Sequence, residues 1–295
     1  VVIQALFGYV QYFFLEPGNL FSYNTAANQP YGIFQQPNVM ASFLATGFVL
    51  SAYLLTRQPA KYNHKISESF LLYLTPTLTV PLLIIIASRT GWLAAVIGFV
   101  CILPYLYKFS TKKRFYGWCI VVAFSVIGLS ATDSLASKRT NLESPRAYTF
   151  PQALDMMIEK PFTGYGYGKF ESEYTLYTAR QHQLNSNYHP GLPSMDHPHN
   201  EFLFWGVEGG IVPIVGILIA AFLVMSRIAS STKGTRLALF ALFIPILLHS
   251  QLEYPFYHSA IHWITFIILI YWVDQRSSRH YQRSFSLVSK TLFRV

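Results

Sequence analysis

The sequence predicts an all-α protein that crosses a membrane many times, and three observations predict it. Of its 295 residues, 52% are hydrophobic and only 12% are charged, more apolar surface than one water-soluble core can bury. Apolar runs approaching the roughly 20 residues that a spanning helix needs recur along the chain. Lys and Arg gather in the connections between those runs.

Eight spans follow, over residues 1–15, 39–56, 67–87, 91–107, 117–132, 207–226, 237–252 and 257–273. The first is short and the chain opens on Val1, which predicts that earlier spans belong to a longer sequence. Cys101 and Cys119 fall inside the fourth and fifth spans, where a disulfide framework or a zinc site is not expected.

The net charge of +9 suits an anionic partner, and its distribution says which. Arg57, Lys61 and Lys65 share one connection, Lys108, Lys112, Lys113 and Arg114 the next, and Arg227, Lys233 and Arg236 a third. Arg276, Arg279, Arg283, Lys290 and Arg294 lie in the tail. If the spans alternate, all of these lie on one side, which the positive-inside rule makes cytoplasmic. Nucleic acid would also attract such charge, but short connections between spans favour membrane lipid, and no nucleic-acid partner is expected.

The opposite, periplasmic face then carries residues 16–38, Ser88-Arg89-Thr90, one long segment over about 133–206, and the turn Glu253-Tyr254-Pro255. The chain divides accordingly into N-terminal membrane helices (1–132), a large periplasmic loop (133–206), C-terminal membrane helices (207–273) and a basic cytoplasmic tail (274–295). Within the loop, Pro145 to Ile158 has helical spacing and ends before Lys160-Pro161. Gly164-Tyr165-Gly166-Tyr167-Gly168-Lys169-Phe170 has the wrong spacing for a phosphate loop, and Phe170 stands where Ser or Thr is needed. It is expected to be a turn that lets backbone pack closely. Gln181 to Met195 reads as a flexible loop, able to open for a bulky substrate.

Several polar residues stand where membrane meets water. Asp196-His197-Pro198-His199-Asn200-Glu201 closes the long loop just before a span. An imidazole there can take a proton near neutral pH, and Asn200 and Glu201 open a helix. His197 and His199 are equally suited to bonding loop carbonyls, and a metal site with His258 and His262 is a further alternative. Arg89, in a connection with almost no loop, presents a fixed cationic fork suited to phosphate oxygens; snorkelling or pairing with Glu253 is its structural alternative. Arg146 follows Pro145 at a helix start on the same face, with a pair to Glu143 or the Asp133 region as its alternative. Gln35-Gln36-Pro37-Asn38 and Glu253-Tyr254-Pro255 each place a polar residue and proline at a span boundary, and Glu253 is suited to orient Arg89 or His199.

Together these residues resemble the superfamily of bacterial O-antigen ligases, O-antigen polymerases and O-linked protein oligosaccharyltransferases. The matching stretches are Ser88-Arg89-Thr90-Gly91-Trp92, Arg146 with Pro161 to Gly166, and His197-Pro198-His199-Asn200 with Glu208-Gly209-Gly210. Gly32 to Ala41 and His249-Ser250-Gln251-Leu252-Glu253-Tyr254-Pro255 resemble the pilin-type protein O-oligosaccharyltransferase branch, which commonly continues beyond this point. The resemblance implies a multi-pass protein of the bacterial inner membrane, and either truncation at both ends or a shorter relative would explain where the chain stops. Its implied activity is transfer of a preassembled oligosaccharide from an undecaprenyl diphosphate carrier to a periplasmic hydroxyl, without cofactor or metal and with inversion. It makes His199 the base and Arg89 and Arg146 the diphosphate ligands. His197, Asn200 and Glu253 are supporting residues, and Gln36 and Asn38 contact donor or acceptor. The acceptor is expected to be a pilin-like protein, with the lipid A-core of lipopolysaccharide (ligase) or another glycan (polymerase) as alternatives. A transporter of the same lipid carrier also needs many spans and buried arginines, but transporters tend to repeat their halves, and no internal repeat is evident here.

Overall fold

A computed structural model describes residues 1–57, 66–130 and 145–276. Among them the regular structure is helical, in the order α1 (Val2–Phe14), α2 (Pro37–Arg57), α3 (Ile66–Ile86), α4 (Arg89–Phe109), α5 (Lys112–Ser130), α6 (Arg146–Glu159), α7 (Phe170–Leu184), α8 (Glu201–Gly209), α9 (Ile211–Ala229), α10 (Arg236–Ala241), α11 (Ile244–Leu252), α12 (Pro255–His258) and α13 (Ala260–Arg276). Lys61, Lys65, the loop's start through Asp133 and Glu143, and the tail beyond Arg276 lie outside the described residues.

The centre is a parallel pair, α2 and α4, held close by small residues. A methyl group on Gly91 would sit 2.5 Å from Cβ of Ala41, and one on Gly98 2.5 Å from Cγ2 of Val49. Where lipid removes the hydrophobic drive between helices, close backbone approach is how they associate. The sequence sets the start of α4 through Ser88, whose hydroxyl accepts the Gly91 amide at 3.1 Å. Further along, buried Trp118 of α5 stacks on Phe48 and Phe99, and Tyr53 stacks on Tyr105 while accepting the Trp272 indole N–H at 3.0 Å. α3 packs on α2 and α5, and α1 on α3, with the Tyr9 hydroxyl donating to the Leu78 carbonyl at 2.8 Å.

A second cluster joins α6, α7 and α8 through Ala153, Met156, Phe170, Tyr174, Phe204 and Val207. The glycine-rich stretch docks it onto the α8–α9 joint: the Tyr165 and Gly166 amides donate to the Val207 and Glu208 carbonyls at 2.8 and 2.9 Å. Gly164 has φ +62°, and a Cβ there would meet the Glu208 carbonyl oxygen at 2.4 Å, so the turn needs glycine for both conformation and space. The segment expected to be a flexible loop departs from that reading in its first four residues, the remainder to Met195 being irregular. It is helical to Leu184, and the Gln152 amide holds the His189 carbonyl at 2.7 Å while Tyr148 stacks on the His189 ring at 3.6 Å.

Among the described residues, four helices are long and apolar enough to cross a membrane, over Pro37–Thr56, Ser69–Ile86, Arg89–Phe109 and Ile211–Ala229, with shorter apolar helices at Val2–Phe14 and Arg236–Leu252. The fold is thus that of a multi-pass all-α membrane protein, but eight full spans do not emerge. The sixth is interrupted at Gly210, whose φ of +68° turns the chain between α8 and α9. The seventh divides between α10 and α11 ahead of Pro245, and the eighth between α12 and α13, the latter 17 residues long. A continuous apolar pattern carries no record of where a left-handed glycine or a proline resets the helix axis.

Because α2 and α4 run parallel, Asn38 and Arg89 share one end of the pair. Glu253 follows the C-terminus of α11, which packs on both helices. Lys108, Arg227, Arg236 and Arg276 belong to the other helix ends, where Arg227 Nε lies 3.2 Å from Asp274 Oδ1.

Gly91→Ala should destabilise the detergent-solubilised protein by about 1–3 kcal/mol, the range for overpacking a tight contact. Ala41→Gly in the same chain should recover part of that loss, as read from unfolding midpoints.

Candidate functional site

The site is assembled around Glu253. Its amide closes the last turn of α11 by donating to the His249 carbonyl at 2.7 Å, after which the backbone is extended, at φ −150° and ψ −165°. The carboxylate is only 2% exposed. Oε1 accepts the Asn38 side-chain amide at 2.7 Å and a terminal N–H of the Arg146 guanidinium, while Oε2 lies 3.8 Å from His199 Nε2. Three segments more than 50 residues apart in sequence therefore meet on one carboxylate.

Each partner is placed by a local device. Asn38 is the second residue of α2, after Pro37 at its first position. Arg146 opens α6 after Pro145. A cation there opposes the helix dipole, so the Glu253 carboxylate offsets its position. Asn200 caps α8, its Oδ1 accepting the Leu203 amide at 3.0 Å while its Nδ2 donates to the Gln251 carbonyl at 3.0 Å. That second bond ties the His197–Asn200 segment to the end of α11.

The two histidines are differentiated by their bonds. The His199 amide donates to Nδ1 of His197 at 2.9 Å, so that nitrogen is an acceptor and the His197 proton resides on Nε2. His197 is 1% exposed and sandwiched between Phe204 and Tyr254, with ring centroids at 4.5 and 4.6 Å. Burial, with the nearby His199 and His258, pushes it down to about 3, so it is neutral. His199 sits at φ +59°, a left-handed conformation uncommon outside glycine. Its Nδ1 meets the His197 carbonyl at 3.1 Å; a carbonyl only accepts, so the proton belongs on Nδ1 and the lone pair on Nε2. Burial and the Arg146 charge lower its pKa below 6.5, opposed by the His197 carbonyl and Asp196. Burial raises Glu253, opposed by Arg146, Asn38 and Gln36. An unprotonated imidazole beside a paired carboxylate can accept a proton, because the imidazolium so formed gains Glu253 as a counter-charge.

The structure brings together Asn38, Arg146, His199 and Glu253, with Gln36, His197 and Asn200 around them. Arg89 is not among them. It is exposed at the first turn of α4 and makes no side-chain hydrogen bond or ion pair among the described residues. The pairing of Glu253 with Arg89 is therefore replaced by one with Arg146, because α6 carries its first residue over the end of α11. The described residues hold no group of three or more His, Cys, Asp or Glu disposed to bind a metal ion. His262, on α13, packs against Phe34 and Phe43 at 5.6 and 6.1 Å and bonds Ser259.

Sequence reasoning missed Tyr254, whose ring meets the His199 ring edge-on at 4.7 Å while stacking on His197. Its place directly after Glu253 was the available signal. Glu201 also gains weight: burial raises it to about 7, against the bond it accepts from the Trp205 indole at 3.1 Å.

The helical frame, with helices long and apolar enough to cross a membrane, thus carries an imidazole, a buried carboxylate and arginines at one end. Family models match the chain in order: "Protein glycosylation ligase" over residues 30–55, "O-Antigen ligase" over 77–219, and "Virulence factor membrane-bound polymerase, C-terminal" over 237–295. Among curated proteins, the ComP-specific O-oligosaccharyltransferase of Acinetobacter baylyi is 27% identical over 276 residues, covering 88% of this chain and 45% of that protein. The general O-oligosaccharyltransferase of the same species is 24% identical over 284 residues, covering 88% and 46%. The chain thus spans under half the length of these relatives. No solved structure matches significantly. Over most of its length the chain is thus similar to O-antigen ligases and O-oligosaccharyltransferases, the pilin-type O-oligosaccharyltransferase branch among them.

Arg146→Met leaves the buried Glu253 carboxylate without its cation and should cost about 3–5 kcal/mol near pH 7. Glu253, already raised, rises further in that variant. A carboxyl whose folded pKa exceeds its unfolded value loses stability as pH increases through the folded value, so the deficit should shrink as pH falls toward 4.5. Arg146→Met with Glu253→Leu should be milder than Arg146→Met alone in the same unfolding assay.

Proposed function

We propose that this chain carries the active site of an oligosaccharyltransferase that moves a preassembled glycan from undecaprenyl diphosphate to a hydroxyl at the periplasmic face of the bacterial inner membrane. The acceptor in this reading is Ser or Thr of a pilin-like protein. The observation that carries the reading is the unprotonated Nε2 of His199, facing Glu253 beside the partly exposed Arg146 guanidinium.

In this mechanism the acceptor hydroxyl gives its proton to His199 Nε2 as its oxygen attacks the anomeric carbon of the lipid-linked sugar. The bond from that carbon to the diphosphate oxygen breaks, and the electron pair leaves on the diphosphate. Arg146 and Arg89 bind the diphosphate and stabilise its added charge, and Glu253 stabilises the imidazolium. One displacement inverts the anomeric centre. Diphosphate is a good leaving group, so a positioned base and two cations supply the chemistry without a metal. Asn200 and His197 hold the His199 backbone, and Asn38 and Gln36 fix the Glu253 carboxylate.

The protein acceptor is supported by the two oligosaccharyltransferase relatives and by the protein glycosylation ligase match over 30–55, which includes Gln36 and Asn38. The O-antigen ligase match over Arg89, Arg146 and His199 favours a second reading, with lipid A-core as acceptor. Periplasmic orientation is supported by the basic helix ends opposite the site.

In cells supplying a lipid-linked glycan and a pilin, His199→Ala in the full-length protein should lower glycosylation by about 10²–10⁴-fold at normal protein levels, scored by mass spectrometry. Unchanged transfer refutes the base assignment, and glycan found only on lipopolysaccharide refutes the protein acceptor. With purified protein, kcat/KM should fall with acid along a limb centred below pH 6.5, because the lowered His199 pKa keeps the base unprotonated to more acid pH. Arg89→Lys keeps the charge but loses the fork, and should raise the KM for the donor.

A further inference from the structure

The segments at the Glu253 end of the bundle carry a set of buried polar atoms that have no hydrogen-bond partner among the described residues. Both ring nitrogens of His249, Nε2 of His262, Nε of Arg146 and Oε1 of Gln36 belong to it. His249 is 0% exposed and stands one helical turn before Glu253, whose amide its carbonyl accepts at 2.7 Å. Gln36 and Arg146 themselves flank the Glu253 carboxylate. The atoms therefore come from α6, α11, α13 and the segment before α2, and the His262 ring packs on Phe34, two residues before Gln36.

An imidazole with neither nitrogen bonded is less stable in an apolar interior than a hydrocarbon of similar shape. Its presence in the well-packed end of α11 is thus unfavourable as packing alone, and a buried unsatisfied group in a native fold calls for an explanation. The inventory supplies one. Neutral His249 offers one donor and one acceptor, Arg146 Nε a donor, and Gln36 Oε1 an acceptor. That mixture matches water, which needs two to four polar partners when buried.

We propose that these atoms enclose an internal site for ordered water, and that His249 acts through that water as a positioning residue for the Arg146–Glu253 pair. The catalytic part of this inference rests on the reading of that pair as transfer machinery; the water-mediated coupling does not.

The test uses the full-length protein with His249→Leu, His249→Phe and His249→Gln. The two apolar variants should fold and lower the kcat of glycan transfer by about 10- to 100-fold, the scale set by a small misplacement of a reacting group, and His249→Gln should recover most of it. Full activity in a folded apolar variant, or an equal loss in all three, overturns the positioning role. A second measurement needs no activity. The shift in unfolding midpoint caused by Arg146→Met should differ between the wild-type and the His249→Leu or His249→Phe backgrounds, and should be restored in His249→Gln. Additive shifts overturn the water-mediated coupling. Non-additive shifts in a protein that transfers no glycan would leave the coupling standing and refute the proposed function.

Discussion

The desolvated carboxylate of Glu253 is the constraint around which the rest is arranged. A carboxylate that is 2% exposed at the edge of an apolar bundle persists as an anion only if cations and donors are brought to it. Here they arrive from α2 through Asn38 and from α6 through Arg146, while the segment before α8 presents His199 to the other oxygen. None of these segments can shift far without leaving charge or donors unmatched, so the membrane bundle and the α6–α8 cluster are coupled through one side chain.

Two packing devices make that convergence possible. The small-residue contact of α2 with α4 fixes the level at which Asn38 and Arg89 emerge. The glycine-rich turn on the α8–α9 joint fixes α6 and α8 to the same end of the bundle. Both depend on side chains too small to obstruct backbone approach, and both lie outside the residues that would do chemistry. The histidine pair shows the same division of work: His197 is buried as a neutral aromatic filler, and its carbonyl, by holding Nδ1 of His199, leaves the lone pair of that ring on Nε2.

Much of this was legible in the chain. Apolar run length and sparse charge predicted an all-α membrane protein, the spacing after Pro145 predicted α6, and the glycines at 164 and 166 predicted a packing turn. His199, Arg146, Asn38 and Glu253 stood out because polar groups at span boundaries are costly without partners. What was not legible was who partners whom. Asn38 and Glu253 are 215 residues apart and Arg146 and Glu253 are 107 apart, and no local pattern encodes such contacts. Glu253 was weighed as a partner for Arg89 and belongs to Arg146. Tyr254 carried no signal beyond adjacency, since an aromatic ring at a membrane surface is commonplace.

The sequence by itself determined the class of protein, the helical segments and the short list of residues with chemical potential, because hydropathy, charge placement and capping act within a few residues of one another. Only the tertiary structure decided where helices break at Gly210 and before Pro245, which arginine neutralises Glu253, and which nitrogen of His199 holds the lone pair. Those outcomes depend on burial and on bonds between distant segments. A desolvated charge takes its partner from whatever the fold brings within reach.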